Sequence, residues 1–118
     1  MATIHMDGAG DIKGLFEVIT NEILEIVGGE LIESSIKNIN DVTVFYAIFD
    51  KYFFRSATNV TATMILINIA DYLDVEIITS GAGEDSIFNL ASSATEIYAK
   101  EIAEIFKDKG FQIVKEGK

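Results

Sequence analysis

Apolar residues recur every three or four positions near both ends of the chain, which is the spacing typical of amphipathic helices. This pattern predicts a helix from about Asp11 to Val27. The pair Gly28-Gly29 would end that helix, because glycine readily adopts the left-handed conformation. The same spacing predicts a second helix from Ser93 to about Lys109, with Gly110 placed to stop it. We therefore expect one amphipathic helix on either side of the central part of the chain.

The central part of the chain is rich in β-branched and aromatic residues, and short clusters of Asn, Asp and Ser interrupt it. These clusters separate segments of strand length, and short turns between strands favour an antiparallel meander. Helices that precede and follow a meander pack together on one of its faces. The sequence therefore predicts a single two-layer α+β domain over residues 1–118. Its three or four strands, between an N-terminal and a C-terminal helix, are expected at 30–39, 42–54, 60–69 and 72–79, and a short strand could follow at 111–114.

The two longest predicted strands carry apolar side chains on both faces. Between Val42 and Phe54, and again between Val60 and Ile69, apolar residues occupy odd and even positions alike, whereas a sheet with one wet face alternates. Two helices cover one face only, so a second copy of the protein, a different partner or the C-terminal helix must cover the other. A curved sheet wrapped around both helices is the remaining alternative. We expect a homodimer through this face, since two-fold homodimers are the commonest soluble assemblies.

Composition narrows the possible functions. The chain has 118 residues and carries 19 acidic against 9 basic side chains, for a net charge of −10. Arg55 is its one arginine and the lysines are scattered, so binding to nucleic acid or to an anionic membrane surface is not expected. No apolar run reaches the length of a membrane-spanning helix, and residues 1–7 lack the features of a signal peptide. We therefore expect a cytoplasmic protein.

Few residues are suited to catalysis or to metal binding. The chain has no cysteine, and His5 is its one histidine, so thiol chemistry and a nitrogen- or sulfur-rich metal site are not expected. Gly8, Gly10 and Gly14 do not match the dinucleotide-binding fingerprint, because the third glycine comes one residue late. We therefore assign no catalytic residue, no metal and no cofactor, and we expect a non-catalytic interaction module.

A small-molecule site is the alternative function, with an aromatic-lined pocket between the helices and the sheet. Arg55 follows an aromatic segment and stands beside polar residues, which makes it the candidate for binding a carboxylate of a ligand or partner. Its plain structural use would be an ion pair with a neighbouring acidic side chain. The aromatic residues expected to line the pocket are Phe45, Tyr46, Phe49, Tyr52 and Phe88.

Several segments between Val42 and Phe111 form a distinctive combination. They are the run Asp50–Arg55, then Asn59, then Ile78–Gly83 followed by Ile87-Phe88. The combination resembles a family of small bacterial proteins of unknown function, found mainly in Firmicutes and similar in length to this chain. The resemblance implies a bacterial, cytoplasmic protein. Because that family has no assigned activity, the resemblance identifies no catalytic or binding residue.

Overall fold

Strands make up most of the chain that the structure describes. The structure is a computed structural model, and it describes residues 1–81 and 90–117. Residues Ile23–Val27 continue the first helix as a wide π-helical turn. In chain order the elements are β1 (Ala2–Ala9), α1 (Ile12–Glu22), the π turn, β2 (Glu30–Ile39), β3 (Val42–Phe53), β4 (Thr58–Ile69), β5 (Tyr72–Gly81), α2 (Leu90–Lys107) and β6 (Gln112–Gly117).

The strands form one antiparallel sheet in the order β2-β3-β4-β5-β1-β6. Strands β2 to β5 follow one another as a meander, with tight turns at residues 40–41 and 70–71. Strand β1 departs from that pattern, because it pairs with β5 on one side and with β6 on the other. The prediction of a three- to four-stranded meander with a helix outside each end is therefore wrong. The described residues form six strands, and both helices lie between strands in the sequence, although the class is still α+β.

Burial explains the position of β1. Ile4 and Met6 alternate with polar residues, and their side chains are 3% and 0% exposed. Ile4 lies opposite Ile77 of β5, and Met6 lies opposite Val75. A short segment with this composition has little intrinsic preference for a strand. Once β5 and β6 pair with its two edges, the apolar side chains at its alternate positions complete the hydrophobic core.

One face of the sheet carries the hydrophobic core. The strand register places Phe45, Leu66, Val75 and Met6 in a single row across β3, β4, β5 and β1. All four side chains are buried. Because side chains alternate along a strand, this row and its parallel neighbours present one continuous apolar surface to the helical layer.

Both helices pack against this core face. The ring centroid of Phe16 in α1 lies 4.5 Å from that of Phe45. In α2, the backbone carbonyl of Thr95 accepts a hydrogen bond of 2.8 Å from the buried hydroxyl of Thr79, which belongs to the core face of β5. Helix α2 therefore does not cross to the opposite face. None of the described helices is both long and apolar enough to cross a lipid bilayer.

Candidate functional site

The sheet surface that faces away from the helices, which we call the open face, carries an apolar patch on β3 and β4. Cross-strand neighbours on this face pair apolar with apolar side chains, Val44 with Ile67 and Tyr46 with Ile65. These side chains are half-buried, although no described helix lies over them. The apolar residues of the open face are Val42, Val44, Tyr46, Ile48, Ile65, Ile67, Ile69 and Ile78.

Polar side chains border the patch on β5 and β1. His5 Nε2 and a carboxylate oxygen of Asp74 form a close ion pair across the two strands. The Tyr72 hydroxyl donates a hydrogen bond of 3.0 Å to Asp7. Glu76 lies directly opposite His5 in the strand register. The open face therefore has an apolar side on β3–β4 and an acidic side on β5–β1.

The charges on this border shift the pKa of His5. The hydrogen bond to Asp74 is the largest cause that raises the pKa of the imidazole above 6.5. Desolvation, the next largest cause, lowers the pKa, and the negative charges of Asp74, Glu76 and Asp7 raise it further. The neighbouring carboxylates therefore favour the charged form of His5, which balances part of the negative charge on this border. In the described part of the chain, no three His, Asp or Glu side chains are grouped so that they could hold a metal ion.

A cleft of about 380 Å³ lies between α1 and the adjoining strands β2 and β3. Phe16 and Phe45 form its apolar wall, and Thr20 and Ser34 are among its polar lining residues. The Thr20 hydroxyl oxygen is buried and has no hydrogen-bond partner. The cleft thus combines an aromatic wall with polar residues, a composition typical of small-molecule sites.

A second polar group is buried where the π turn meets β3 and α2. The Lys51 ammonium lies 2.6 Å from the carbonyl oxygen of Val27 and 4.9 Å from the centre of the Phe53 ring. The nearby Tyr98 hydroxyl is buried without a hydrogen-bond partner. Burial is the main cause that raises the pKa of Tyr98, and the negative charges of Asp50 and Glu101 act in the same direction. The Lys51 hydrogen bond in this cluster holds the end of the π turn against β3. Such π turns are frequent at functional sites.

The structure distributes the predicted site residues over different regions. Tyr46 and Tyr52 lie on the open face, and the Tyr52 ring contacts the exposed Phe54 ring edge-on at 4.9 Å. Phe45 and Phe49 point to the opposite, helix-covered face, so these four side chains do not line one pocket. Arg55 is exposed in the turn between β3 and β4. Phe88 lies outside the described residues.

The sequence reasoning missed three features of this geometry: the His5–Asp74 pair, the cleft beside α1 and the Lys51–Tyr98 cluster. The sequence did contain the signal that divides the aromatic side chains between the two faces of the sheet, since odd and even positions of a strand face opposite ways. The His5–Asp74 pair carried no such signal, because it depends on β1 lying beside β5.

Comparisons with known proteins give one family and no closer relative. The model of the family described as "Family of unknown function (DUF6054)" matches residues 1–109. Neither the search of curated proteins nor the search of solved structures found a match.

Proposed function

The chain belongs to DUF6054, a family of unknown function, and from this premise we propose that it is a non-catalytic interaction module that self-associates through the open face of its sheet. The observation that carries the proposal is the apolar patch on β3 and β4, half-buried but without a described helix over it. Patches of this kind mark interaction sites on soluble proteins. A bacterial origin and a cytoplasmic location stay predictions.

The size of the open face fits a second copy of the same chain. The four strands β2 to β5 at a spacing of ~4.8 Å span ~19 Å, and nine residues of β3 rise ~30 Å. The resulting area of roughly 600 Å² lies at the lower end of the ~600–1,000 Å² that each partner contributes to an interface of standard size.

The charge distribution also favours a two-fold arrangement. A two-fold axis that runs along the strands between β3 and β4 lays Val44 over Ile67 of the second copy and Tyr46 over its Ile65. The same axis places β5 of one copy over β2 of the other, so Asp74 and Glu76 do not meet their own copies. Apolar surface is then buried without opposing like charges.

The test is a matched pair of substitutions read by sedimentation or native mass spectrometry. Ile65→Lys puts a charge at the centre of the open face, where the long side chain reaches water in the single molecule and is buried in the face contact. Ile97→Lys adds the same charge at an exposed apolar position of α2. We expect Ile65→Lys to lower the mass of the assembly and Ile97→Lys to leave it unchanged, with both variants folded by circular dichroism. An unchanged mass for Ile65→Lys would overturn the proposal.

The cleft beside α1 supports a second candidate, a small-molecule binding protein. Its support is the volume of the cleft, about 380 Å³, together with the Phe16–Phe45 ring pair that forms its apolar wall. Native mass spectrometry of freshly purified protein would reveal a co-purified molecule. Ser34→Trp, a substitution that fills the cleft from its exposed rim, should abolish that adduct while Ser80→Trp should not. Absence of any adduct would count against this function and leave self-association untouched.

The assignment of Arg55 as a carboxylate-binding residue remains a prediction.

A further inference from the structure

Strand β2 is an unusually exposed edge of the sheet. Only Ser35 among its ten residues is partly buried, and no other described strand pairs with its outer side. Four apolar side chains stand exposed along it, Leu31, Ile32, Ile36 and Ile39. An edge of this length and composition is a ready template for pairing with another strand.

The opposite edge of the sheet differs in each of these respects. Strand β6 spans only Gln112–Gly117, and Lys115 and Glu116 place charges along it. A register shift between His5 and Met6 makes its ladder with β1 irregular. Short length, charge and irregularity are the usual protections of an edge strand. In β2 the irregularity lies near one end, between Leu31 and Glu33, and leaves the stretch from Glu33 to Ile39 in regular register.

The hairpin turn determines which backbone groups of β2 are free. Ile39 and Val42 flank the two-residue turn, so they exchange backbone hydrogen bonds. The direction of the backbone groups repeats at every second residue of a strand. The N–H and C=O groups of Lys37, Ser35 and Glu33 therefore also point towards β3. The backbone groups of Ser34, Ile36 and Asn38 therefore point away from the sheet, towards the free side.

This alternation restricts how a second copy can pair with the edge. Two identical strands related by a two-fold axis run antiparallel, and outward-pointing groups must meet outward-pointing groups. With the axis through Ser35, Ser34 lies opposite Ile36 of the second copy, and both exchange hydrogen bonds. In the two neighbouring permitted registers, the axis passes through Ser34 or Ile36. The backbone groups also form their hydrogen bonds there, but no acidic residue lies opposite a basic one.

Charge selects among the permitted registers. When the axis passes through Ser35, Glu33 lies directly opposite Lys37 of the second copy, and the symmetry forms this ion pair twice. An axis through Glu33 would instead place Glu33 opposite its own copy, and an axis through Lys37 would do the same for Lys37. Like charges would then lie opposite each other. Within one chain the two side chains are ~13 Å apart along the strand, so they do not neutralise each other. Opposite charges in direct cross-strand pairs stabilise a sheet, and like charges weaken it.

We propose that β2 pairs with β2 of a second copy about a two-fold axis through Ser35, which joins two sheets into one continuous sheet. This contact goes beyond the open face and uses a different surface of the molecule. It brings Ile36 of the second copy beside Ser34 at the rim of the cleft under α1, where an apolar side chain gains contacts on the helix side. A chain with two separate two-fold contacts assembles beyond a dimer, as a closed tetramer or as an open chain.

A single engineered cysteine tests the register, because the chain has no cysteine of its own. Ser35 and its copy form a pair without mutual backbone hydrogen bonds, whose Cα atoms are ~4.5 Å apart, within disulfide range. In oxidised glutathione, Ser35→Cys should form a covalent dimer about tenfold faster than Ser34→Cys or Ser80→Cys, since pairing raises the effective concentration of its thiols. Equal rates for the three variants would overturn the proposal.

Charge reversal in the Ile65→Lys background tests the edge contact separately from the open face. With the face contact removed, the edge alone should hold a dimer. Lys37→Glu should convert that dimer to a monomer, and addition of Glu33→Lys should restore it. Lys107→Glu makes the same change in net charge at an exposed site on α2 and should have no effect.

The outcomes separate the two contacts. If Ile65→Lys alone is a monomer, the edge proposal fails and the open face stands. If Ile65→Lys leaves the mass unchanged while Lys37→Glu lowers it, the open face fails and the edge stands. A dimer that survives Lys37→Glu, or capture of foreign peptides by β2 with no self-pairing, would overturn the edge proposal.

Discussion

The ammonium group of Lys51 lies 2.6 Å from the carbonyl oxygen of Val27, the last residue of the π turn. Helix ends leave carbonyl groups without partners inside the helix, and a lysine is a suitable donor for them. The same ammonium lies 3.8 Å from the carboxylate of Glu101 in α2. One side chain of β3 thus connects the end of the first helical segment to the second helix.

We expect Lys51→Met to lower the free energy of unfolding by about 2 kcal/mol, because the Val27 carbonyl loses a hydrogen bond from a charged donor. Methionine retains an apolar side chain against Phe53, so the effect reports the ammonium group rather than the stem. Lys107→Met is the control, since the Lys107–Glu104 pair is exposed and should change stability by less than about 0.5 kcal/mol. Urea unfolding followed by circular dichroism measures both values. Equal losses would contradict a structural role for the Lys51 contact.

Much of the strand arrangement could be predicted from the sequence because local signals define it. Tight turns at 40–41 and 70–71 fix the lengths of β2 to β5, and the strands lie within two residues of the predicted bounds. The place of β1 could not be predicted in the same way. Its pairing with residues 72–79 and 112–117 joins distant parts of the chain, and only burial of Ile4 and Met6 in the assembled sheet selects it.

The first helix shows a different limit of the sequence pattern. Apolar spacing predicted one helix from Asp11 to Val27, whereas the regular α-helix ends at Glu22 and Ile23–Val27 form the wider π turn. Both forms bury Ile23 and Val27, so the apolar spacing cannot distinguish them. Likewise, the pocket predicted from aromatic composition ignored strand parity, which sends Tyr46 and Phe45 to opposite faces of the sheet.

Gly29 allows the chain to pass between the π turn and β3. Its φ angle is +97°, and a Cβ atom built there would lie 2.7 Å from the Asp50 carbonyl oxygen and 3.2 Å from the Tyr98 hydroxyl. Gly110 has a similar φ of +91° with nothing within 4 Å of a built Cβ. The two glycines therefore share the left-handed backbone but differ in the space around it.

We expect Gly110→Ala to cost about 1 kcal/mol of stability, the usual penalty for a non-glycine residue in the left-handed region. Gly29→Ala should cost ~3 kcal/mol, since backbone and side-chain atoms must also move to accept the methyl group. Thermal unfolding of the two variants beside the unmodified protein measures the difference. A smaller loss for Gly29→Ala than for Gly110→Ala would contradict the described packing around Tyr98.

The His5–Asp74 pair should make stability depend on pH near neutrality. Because the folded-state pKa of His5 is raised above 6.5, protonated His5 stabilises the fold, fully so below pH 6.5 and progressively less as the pH rises through the raised pKa. The side chains are 40% and 24% exposed, so solvent screening limits the contribution to less than about 1 kcal/mol. Other ionisable groups around the ring are Asp7, Glu76 and Lys115, which lies opposite His5 in β6. We expect the urea midpoint of the unmodified protein to fall between pH 6 and pH 8, and that of His5→Asn to stay level. Asp74→Asn keeps the imidazole but removes its partner, so it should reduce the slope of the midpoint against pH. A rising midpoint over this range, or the same slope in His5→Asn, would show that His5 is not the group responsible.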